Sequence, residues 1–572
     1  MRIRIVERVI WGLMALLWAA LFMTQVAHGP EYRDKAERNR TRLIPLPAAR
    51  GSILDRNGVP IAEDHIRFEL TVLPQELRDP QKTWTALSQA LGIPEQELIR
   101  RYKKRFQARF SPVTIIEDLR PEAAFLFEEE REKFPAVLIR PVPERVYPSG
   151  PASGAVTGYL GLITANELTQ LKPYGYTFRD RVGKDGLEQQ YDALLRGTDG
   201  GLYVEVNAQG KIAQQMGFKS PERGKSITVS IDSRLQELIY RLLENDRAAV
   251  AVMNCASGEM LALISSPSFD PSIFVDTTRD DEINPILHNE DRPMFNRVIR
   301  GLVPPGSTFK AAVAYEGLKE GKIESSTAFE CTGTVRLGNA VFRCWEAKGH
   351  GPQMVADALE HSCNTFFYQT GRRLGSEGVA RAARLFRLGQ ATGIDLPREA
   401  KGFVPDPAWL RKSQGHTWRE GDTLSFAIGQ GALLTTPLQM LTLFNALATN
   451  GIWPQPHLVK MVDGRPAEIA GPVSIGLQIS EVDKVKIGLE RVVSSDTGTG
   501  RLARVPGLAI AAKTGTAQAA TGASHAWICG YAPARDPKIS FVIFVEHGGK
   551  GGVRAAKVAG QMMVYLREMG YL

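Results

Sequence analysis

The pattern of apolar and polar positions opens on one run unlike any other in the chain. Val9 to Ala27 reads VIWGLMALLWAALFMTQVA, 19 positions without a charged residue. At helical rise it is about 28 Å long, close to the hydrocarbon thickness of a bilayer. A cleaved signal peptide, a buried core helix and a retained span compete for this run. A signal peptidase wants small residues three and one before the cut, and Ala27 preceded by Gln25 matches poorly. A retained transmembrane anchor is therefore expected. No second run of that length follows, so the rest should be soluble on one side of the membrane. Which side is not set by charge, because Arg2, Arg4 and Arg8 flank one end and Arg33, Lys35, Arg38, Arg40 and Arg42 the other.

Beyond the anchor, residues 28–45 are charged and read as extended or helical. Arg50 through Gly58 carries Asn-Gly turn chemistry between two apolar runs, a hairpin signal. Residues 66–145 mix a strand over Phe68–Leu73 with charged helices such as Glu95–Phe106, and 182–230 read as strands and turns, including Ser226–Ile231. The character changes near Asp232. Ala248–Met253 and Met260–Ile264 form an apolar hairpin around residues 254–259, and helices rich in Ala and Leu run to about residue 450. Strands are predicted at Leu508–Ala512, Ala526–Tyr531 and Ile539–Glu546, with a closing helix over Val553–Glu568. Strands at both ends with helices between them predict one α+β domain whose sheet joins distant parts of the chain. The expected division is a tail (1–8), an anchor (9–27), a mixed α/β pedestal (28–225) and a second domain (226–572). There is no internal repeat.

Composition narrows this picture without redirecting it. With 572 residues, 43% hydrophobic and 23% charged, the chain is globular and long enough for two to four domains. The net charge of +8 fits a partner bearing phosphates or carboxylates. No Lys/Arg run interleaved with aromatics occurs, so nucleic acid is not expected as a partner. Five cysteines are too few, and odd in number, for a disulfide scaffold.

Candidate chemistry starts at Ser307-Thr308-Phe309-Lys310, which follows Val303-Pro304-Pro305-Gly306. Serine needs a base within hydrogen-bond reach to act as a nucleophile. Residues three apart share a helix face, and Pro-Pro-Gly is a helix-start signal, so Ser307 and Lys310 are expected on one first turn. A lone Ser-x-x-Lys is weak evidence, since a chain of this length holds about two by chance. Two further signatures change its weight. Ser362-Cys363-Asn364 follows 55 residues later, and Lys513-Thr514-Gly515-Thr516 roughly 200 residues after the serine, just beyond the predicted strand Leu508–Ala512.

In that order they form the Ser-x-x-Lys, Ser-x-Asn, Lys-Thr-Gly set of serine acyl transferases. Ser307 would attack a carbonyl and Lys310, if neutral in a desolvated pocket, would take its proton. Ser362 and Asn364 would bridge Lys310 to the substrate and relay a proton to the leaving amine. Lys513 would attract a terminal carboxylate and keep Lys310 deprotonated by repulsion. The hydroxyls of Thr514 and Thr516 would hold that carboxylate. Gly515 would let an extended substrate approach the strand edge. The amides of Ser307 and Thr516 would form an oxyanion hole.

From residue 40 onward the sequence resembles the class B penicillin-binding proteins. Besides the catalytic set, the resemblance rests on Arg50-Gly51 through Asp55-Arg56-Asn57-Gly58, on Gly186-Leu187-Glu188 with Tyr191 and Gly197, and on Ser266-Pro267-Ser268-Phe269-Asp270-Pro271. No glycosyltransferase motif intervenes between anchor and catalytic domain, unlike in class A. Phe366-Phe367-Tyr368-Gln369, Gly421-Asp422-Thr423 and Ile428-Gly429-Gln430-Gly431 before Thr436-Pro437-Leu438-Gln439 resemble the elongation-type group, penicillin-binding protein 2.

The resemblance implies a transpeptidase domain of penicillin-binding and β-lactamase-like fold: an antiparallel sheet flanked by helices, with an all-helical subdomain. It also implies a single-pass inner-membrane protein with its bulk in the periplasm. The expected activity is D,D-transpeptidation of peptidoglycan stem peptides ending in D-Ala-D-Ala, with β-lactams acylating Ser307. The expected partners are a RodA-type glycosyltransferase and an MreC-type scaffold. The alternatives are a division-type transpeptidase, a D,D-carboxypeptidase or β-lactam sensor with the same motifs, and an idle scaffold for a glycosyltransferase.

Cys331, Cys344, His350 and Cys363 fall within 33 residues, a Cys₃His set suited to a structural zinc ion. A Cys331–Cys344 disulfide and plain packing of buried thiols are the other readings. Some elongation-type relatives carry Asp where this chain has Cys331 and Cys344, and they bind zinc; thiolates should favour that metal further. The acyl-transfer chemistry itself needs no cofactor. Cys255 and Cys529 fall in predicted strands and read as core.

Overall fold

The computed structural model describes residues 2–33, 41–106, 112–178, 180–206, 212–243, 246–276, 279–415, 417–519 and 521–572. The chain passes more than once between two compact units. The smaller comprises residues up to Gly51, Asp64–Arg145 and Arg196–Gly224; the larger comprises Ser52–Glu63, Val146–Leu195 and Lys225–Leu572.

In the smaller unit the apolar N-terminal segment is one continuous helical stretch, Ile3–Ala27, with none of its most apolar window buried. At 25 residues it is long enough to cross a bilayer. The body of the unit is a small core. Leu70 and Val72, on the strand Pro60–Val72, pack with Val113 and Ile115 of the antiparallel strand Val113–Leu119 and with Trp84, Leu87 and Leu98 from two helices. The first helix, Pro80–Leu91, starts at Asp79, whose carboxylate accepts from Lys82 N, and stops at Gly92 in the left-handed region. The predicted helix Glu95–Phe106 is found at Glu95–Arg105.

In the larger unit Ile53 and Leu54 pair with Ala62 and Pro60 in the predicted hairpin. Asp55 holds its turn by accepting from the amides of Asn57 and Val59. The catalytic half is a five-stranded antiparallel sheet. Its strands are β1 (Ala248–Asn254), β2 (Met260–Ser266), β3 (Ala511–Ala517), β4 (His525–Ala532) and β5 (Ile539–Val545), in the order β2-β1-β5-β4-β3.

Nearly every residue of these strands is buried, and β1, β4 and β5 read as largely apolar runs. Alternation sends the two sets of side chains to opposite faces. Val250, Val252, Ile528, Phe541 and Ile543 meet the helices α1 (Ser233–Leu243) and α6 (Arg554–Glu568), through Leu235, Ile239, Met562 and Met563. Ala249, Ala251, Trp527, Cys529 and Val542 face the interior helix α4 (Pro437–Ala448) and share one core with α2 (Lys310–Lys319). Small residues at 249 and 251 let fully buried α4 lie close to the sheet. Helix α3 (Asn364–Leu385), broken at Gly375, and α5 (Ile479–Ser494) complete the helical layer.

One predicted strand is displaced. Leu508–Ala512 was expected from the apolar run, but β3 begins at Ala511 and pairs with β4 through Ala517↔His525. Lys513, Thr514, Gly515 and Thr516 therefore lie inside the strand, not in a turn beyond it. Ladder bonds carry the strand across residues whose side chains are polar, which an apolar run cannot reveal.

Candidate active site

Ser307 sits on a short 3₁₀ turn, Gly306–Phe309, whose end feeds directly into α2 at Lys310. The serine is half-buried while Lys310 is fully enclosed. Three glycines make the nucleophile turn possible. A Cβ on Gly306 would stand 2.8 Å from the Thr516 carbonyl, one on Gly429 2.1 Å from the Gly306 carbonyl, and one on Gly515 3.1 Å from the Pro305 carbonyl. The turn, β3 and the 428–431 loop thus meet backbone to backbone, and Gly306 N donates to Gly429 O at 2.9 Å.

The Ser362–Asn364 segment closes the opposite side. Lys310 Nζ donates to the Ser362 carbonyl at 2.8 Å and to Asn364 Oδ1 at 2.6 Å. Lys310 thus reaches Ser362 through its backbone carbonyl and Asn364 through its side chain. Ser362 itself is held at φ 54°, a left-handed conformation that costs a non-glycine residue energy and concentrates at functional sites. Burial pushes Lys310 down to about 8, against the pull of the neighbouring thiols of Cys363, Cys344 and Cys331. A lysine so placed is available as a base near neutral pH.

Lys513 is also fully buried, donating to the Thr514 carbonyl at 3.1 Å. Burial, then the charge of Lys310, lowers it well below the usual lysine range. The depression of Lys310 is thus chiefly desolvation, as the reading of a desolvated pocket expects, while repulsion between the two lysines registers on Lys513. Thr514 donates its hydroxyl to Thr499 Oγ1 at 2.7 Å, and Thr499 in turn donates to the Glu360 carbonyl at 3.3 Å. Thr516 is exposed, and its hydroxyl accepts from Gly551 N at 3.4 Å. Sequence reasoning missed Thr499, Glu360 and Gln430, whose Nε2 donates to the Thr516 carbonyl at 3.3 Å. Repeated Thr-Gly at 497–500 was the only local signal for the first of them.

The four residues Cys331, Cys344, His350 and Cys363 converge, their ligand atoms all within 4.8 Å of one another. His350 Nδ1 lies 3.6 Å from both Cys331 Sγ and Cys344 Sγ. All five cysteines are free thiols, so no disulfide joins Cys331 to Cys344. A hydrogen bond from Cys363, aided by His350, holds Cys344 well below the thiol range, while the same bond and burial push Cys363 up. His350 is raised by Cys344 in the same way. Three thiols and one imidazole, with Nδ1 facing the sulfurs, fit a tetrahedral soft-metal site. The cluster also touches the catalytic segment. Asn364 N donates to Cys344 Sγ at 3.3 Å, and Asn364 Nδ2 donates to the carbonyl of Arg343, next to Cys344, at 3.2 Å. Cys255 and Cys529 are buried core residues, as expected.

Residues 248–564 match the penicillin-binding protein transpeptidase domain, and residues 45–229 the penicillin-binding protein dimerisation domain. The chain is 34% identical to the peptidoglycan D,D-transpeptidase MrdA of Acinetobacter baumannii, over 95% of this chain and 84% of that one. Among solved structures it resembles penicillin-binding protein 2 of Helicobacter pylori in complex with MreC, with a TM-score of 0.81 at 28% identity, over 93% of this chain and 99% of that one. A chain from a structure titled for coordination of polymerization and crosslinking by a peptidoglycan synthase complex aligns with a TM-score of 0.77 at 30% identity, over 98% of both chains. With the Ser307, Ser362 and Lys513 signatures folded around one cleft, and with these matches along its length, the chain belongs to the class B penicillin-binding proteins.

Proposed function

We propose that this chain cross-links peptidoglycan stem peptides during cell elongation, through an acyl-enzyme on Ser307. The observation that carries the reading is the enclosed Lys310, bonded to Ser362 and Asn364 and lowered to about 8, on the same turn as a half-buried serine. In the reaction Ser307 Oγ attacks the carbonyl of the penultimate D-alanine while its proton passes to Lys310 Nζ. The Ser307 and Thr516 amides stabilise the oxyanion. The peptide bond then breaks, and the departing D-alanine amine takes a proton through Ser362, leaving an ester on Ser307. An amine of a second stem peptide attacks that ester, restores the serine and forms the cross-link. Lys513 attracts the terminal carboxylate, with Thr514 and Thr516 lining its place.

The Cys331, Cys344, His350 and Cys363 set would hold zinc, which when bound orders the Ser362–Asn364 segment from behind and takes no part in the chemistry. The helix Ile3–Ala27 serves as a single-pass anchor, with the bulk in the periplasm where the wall is built. An MreC-type scaffold is the partner that the Helicobacter pylori relative favours, and a RodA-type glycosyltransferase is the partner expected from the family resemblance. Incubation of the purified chain with a stem pentapeptide ending in D-Ala-D-Ala and an acceptor amine tests the reading. It predicts release of D-alanine and a new amide bond; hydrolysis alone, with the amine never incorporated, would make the enzyme a carboxypeptidase instead.

A further inference from the structure

Thr516 lies on the last strand of the sheet, so among the described residues one side of β3 has no partner strand. Its carbonyl points out of that side, toward the nucleophile turn, because a Cβ on Gly306 would nearly touch it. In an antiparallel strand the N–H and C=O of one residue leave the same side, so the Thr516 amide faces the turn as well. An extended peptide laid along this edge would add a strand, with its own N–H donating to an outward carbonyl. In the free protein that carbonyl already has a donor, the carboxamide of Gln430 at 3.3 Å. A carboxamide N–H is chemically the same donor as a peptide N–H.

The backbone beneath Gln430 is fixed. Its N–H donates to Ser425 O at 3.0 Å, and the preceding Gly429 carbonyl accepts from Gly306 N. The side chain is only half-buried, so it can leave by rotamer change while the loop stays.

We propose that Gln430 is a specificity-determining residue that stands in for the acyl donor: its side-chain amide occupies the Thr516 carbonyl until a donor peptide N–H displaces it. A donor able to replace this bond loses little on entry, whereas a donor without the N–H leaves the carbonyl unpaired or must fit around Gln430. The inference rests on the transpeptidase reading above.

The test uses the full-length chain in detergent and two acylating probes. One is a penicillin whose acylamino side chain carries an N–H; the other is a carbapenem with a hydroxyethyl group in that place. Gln430→Ala should raise the second-order acylation rate by the penicillin roughly threefold to tenfold, and leave the carbapenem rate within about twofold. Gln430→Met, which keeps the bulk and loses the donor, should do the same, and it decides the matter if the alanine variant does not fold. Equal changes with both probes would make Gln430 a strut for the loop and overturn the proposal, as would no change or a slower penicillin reaction. Wild-type protein inert to both probes would instead refute acylation at Ser307.

Discussion

The two walls of the cleft are built on different principles. The Lys513 wall is a strand of a five-stranded sheet, registered residue by residue against β4 from Ala511↔Tyr531 to Ala517↔His525 and backed by fully buried Trp527. The Ser362 wall is a turn with a left-handed serine, held by an ammonium, a thiol and one carbonyl. A ladder spreads its stability over many bonds that support one another. The turn depends on a few contacts, one of them to Cys344 of the Cys/His cluster. Damage to the first wall should therefore appear as lost stability, and damage to the second as lost rate in a protein that remains folded.

The largest effect is expected where both walls converge. Lys310→Met should cut acylation by about 10²–10⁴-fold, the usual contribution of a positioned base, with the protein still cooperatively folded by thermal melting. Loss of the cluster should come next. Cys363→Ser, or removal of metal by a chelator, should slow acylation about 10–100-fold while shifting the melting point little. A metal-free protein that acylates at full rate would erase the contrast between the walls.

The pH profile sharpens the role of Lys310. The lysine is the charged acid below about 8 and the free base above it, so acylation should rise with pH through that value. Between pH 7 and pH 9 the neutral fraction grows about tenfold. A rate flat over that range would mean that Lys310 is not the proton acceptor. The smallest effect on rate belongs to the sheet wall. Trp527→Phe should lower stability by about 1–3 kcal/mol in denaturant unfolding, and leave acylation of the folded fraction nearly unchanged.

The same contrast governs what the sequence makes legible. The three signatures lie close in the chain or in a known order, and the apolar runs of β1, β4 and β5 are long and unbroken, so the catalytic sheet and Ser307, Lys310, Asn364 and Lys513 could be placed from pattern alone. The Cys₃His set was visible because its four residues fall within a short span. Register and long-range bonding were not visible. The start of β3 shifted because backbone pairing, not hydrophobicity, continues through Lys513 to Thr516. Thr499 and Gln430 reach the site from 15 and 86 residues before their bonding partners Thr514 and Thr516, with common side chains and no periodic signal. The complete burial of Lys513 beside Lys310 was not visible either, since it can be read only from the folded chain.

The central claim is a covalent acyl-enzyme on Ser307, and a peptide map tests it most directly. Trypsin should release residues 301–310, GLVPPGSTFK, which carry both the serine and the lysine. After saturating penicillin, that peptide should gain the full mass of the antibiotic, with fragment ions placing it on Ser307 and the gain absent from Ser307→Ala. An unmodified 301–310 peptide in the wild type, or an adduct that persists in Ser307→Ala, would contradict the account.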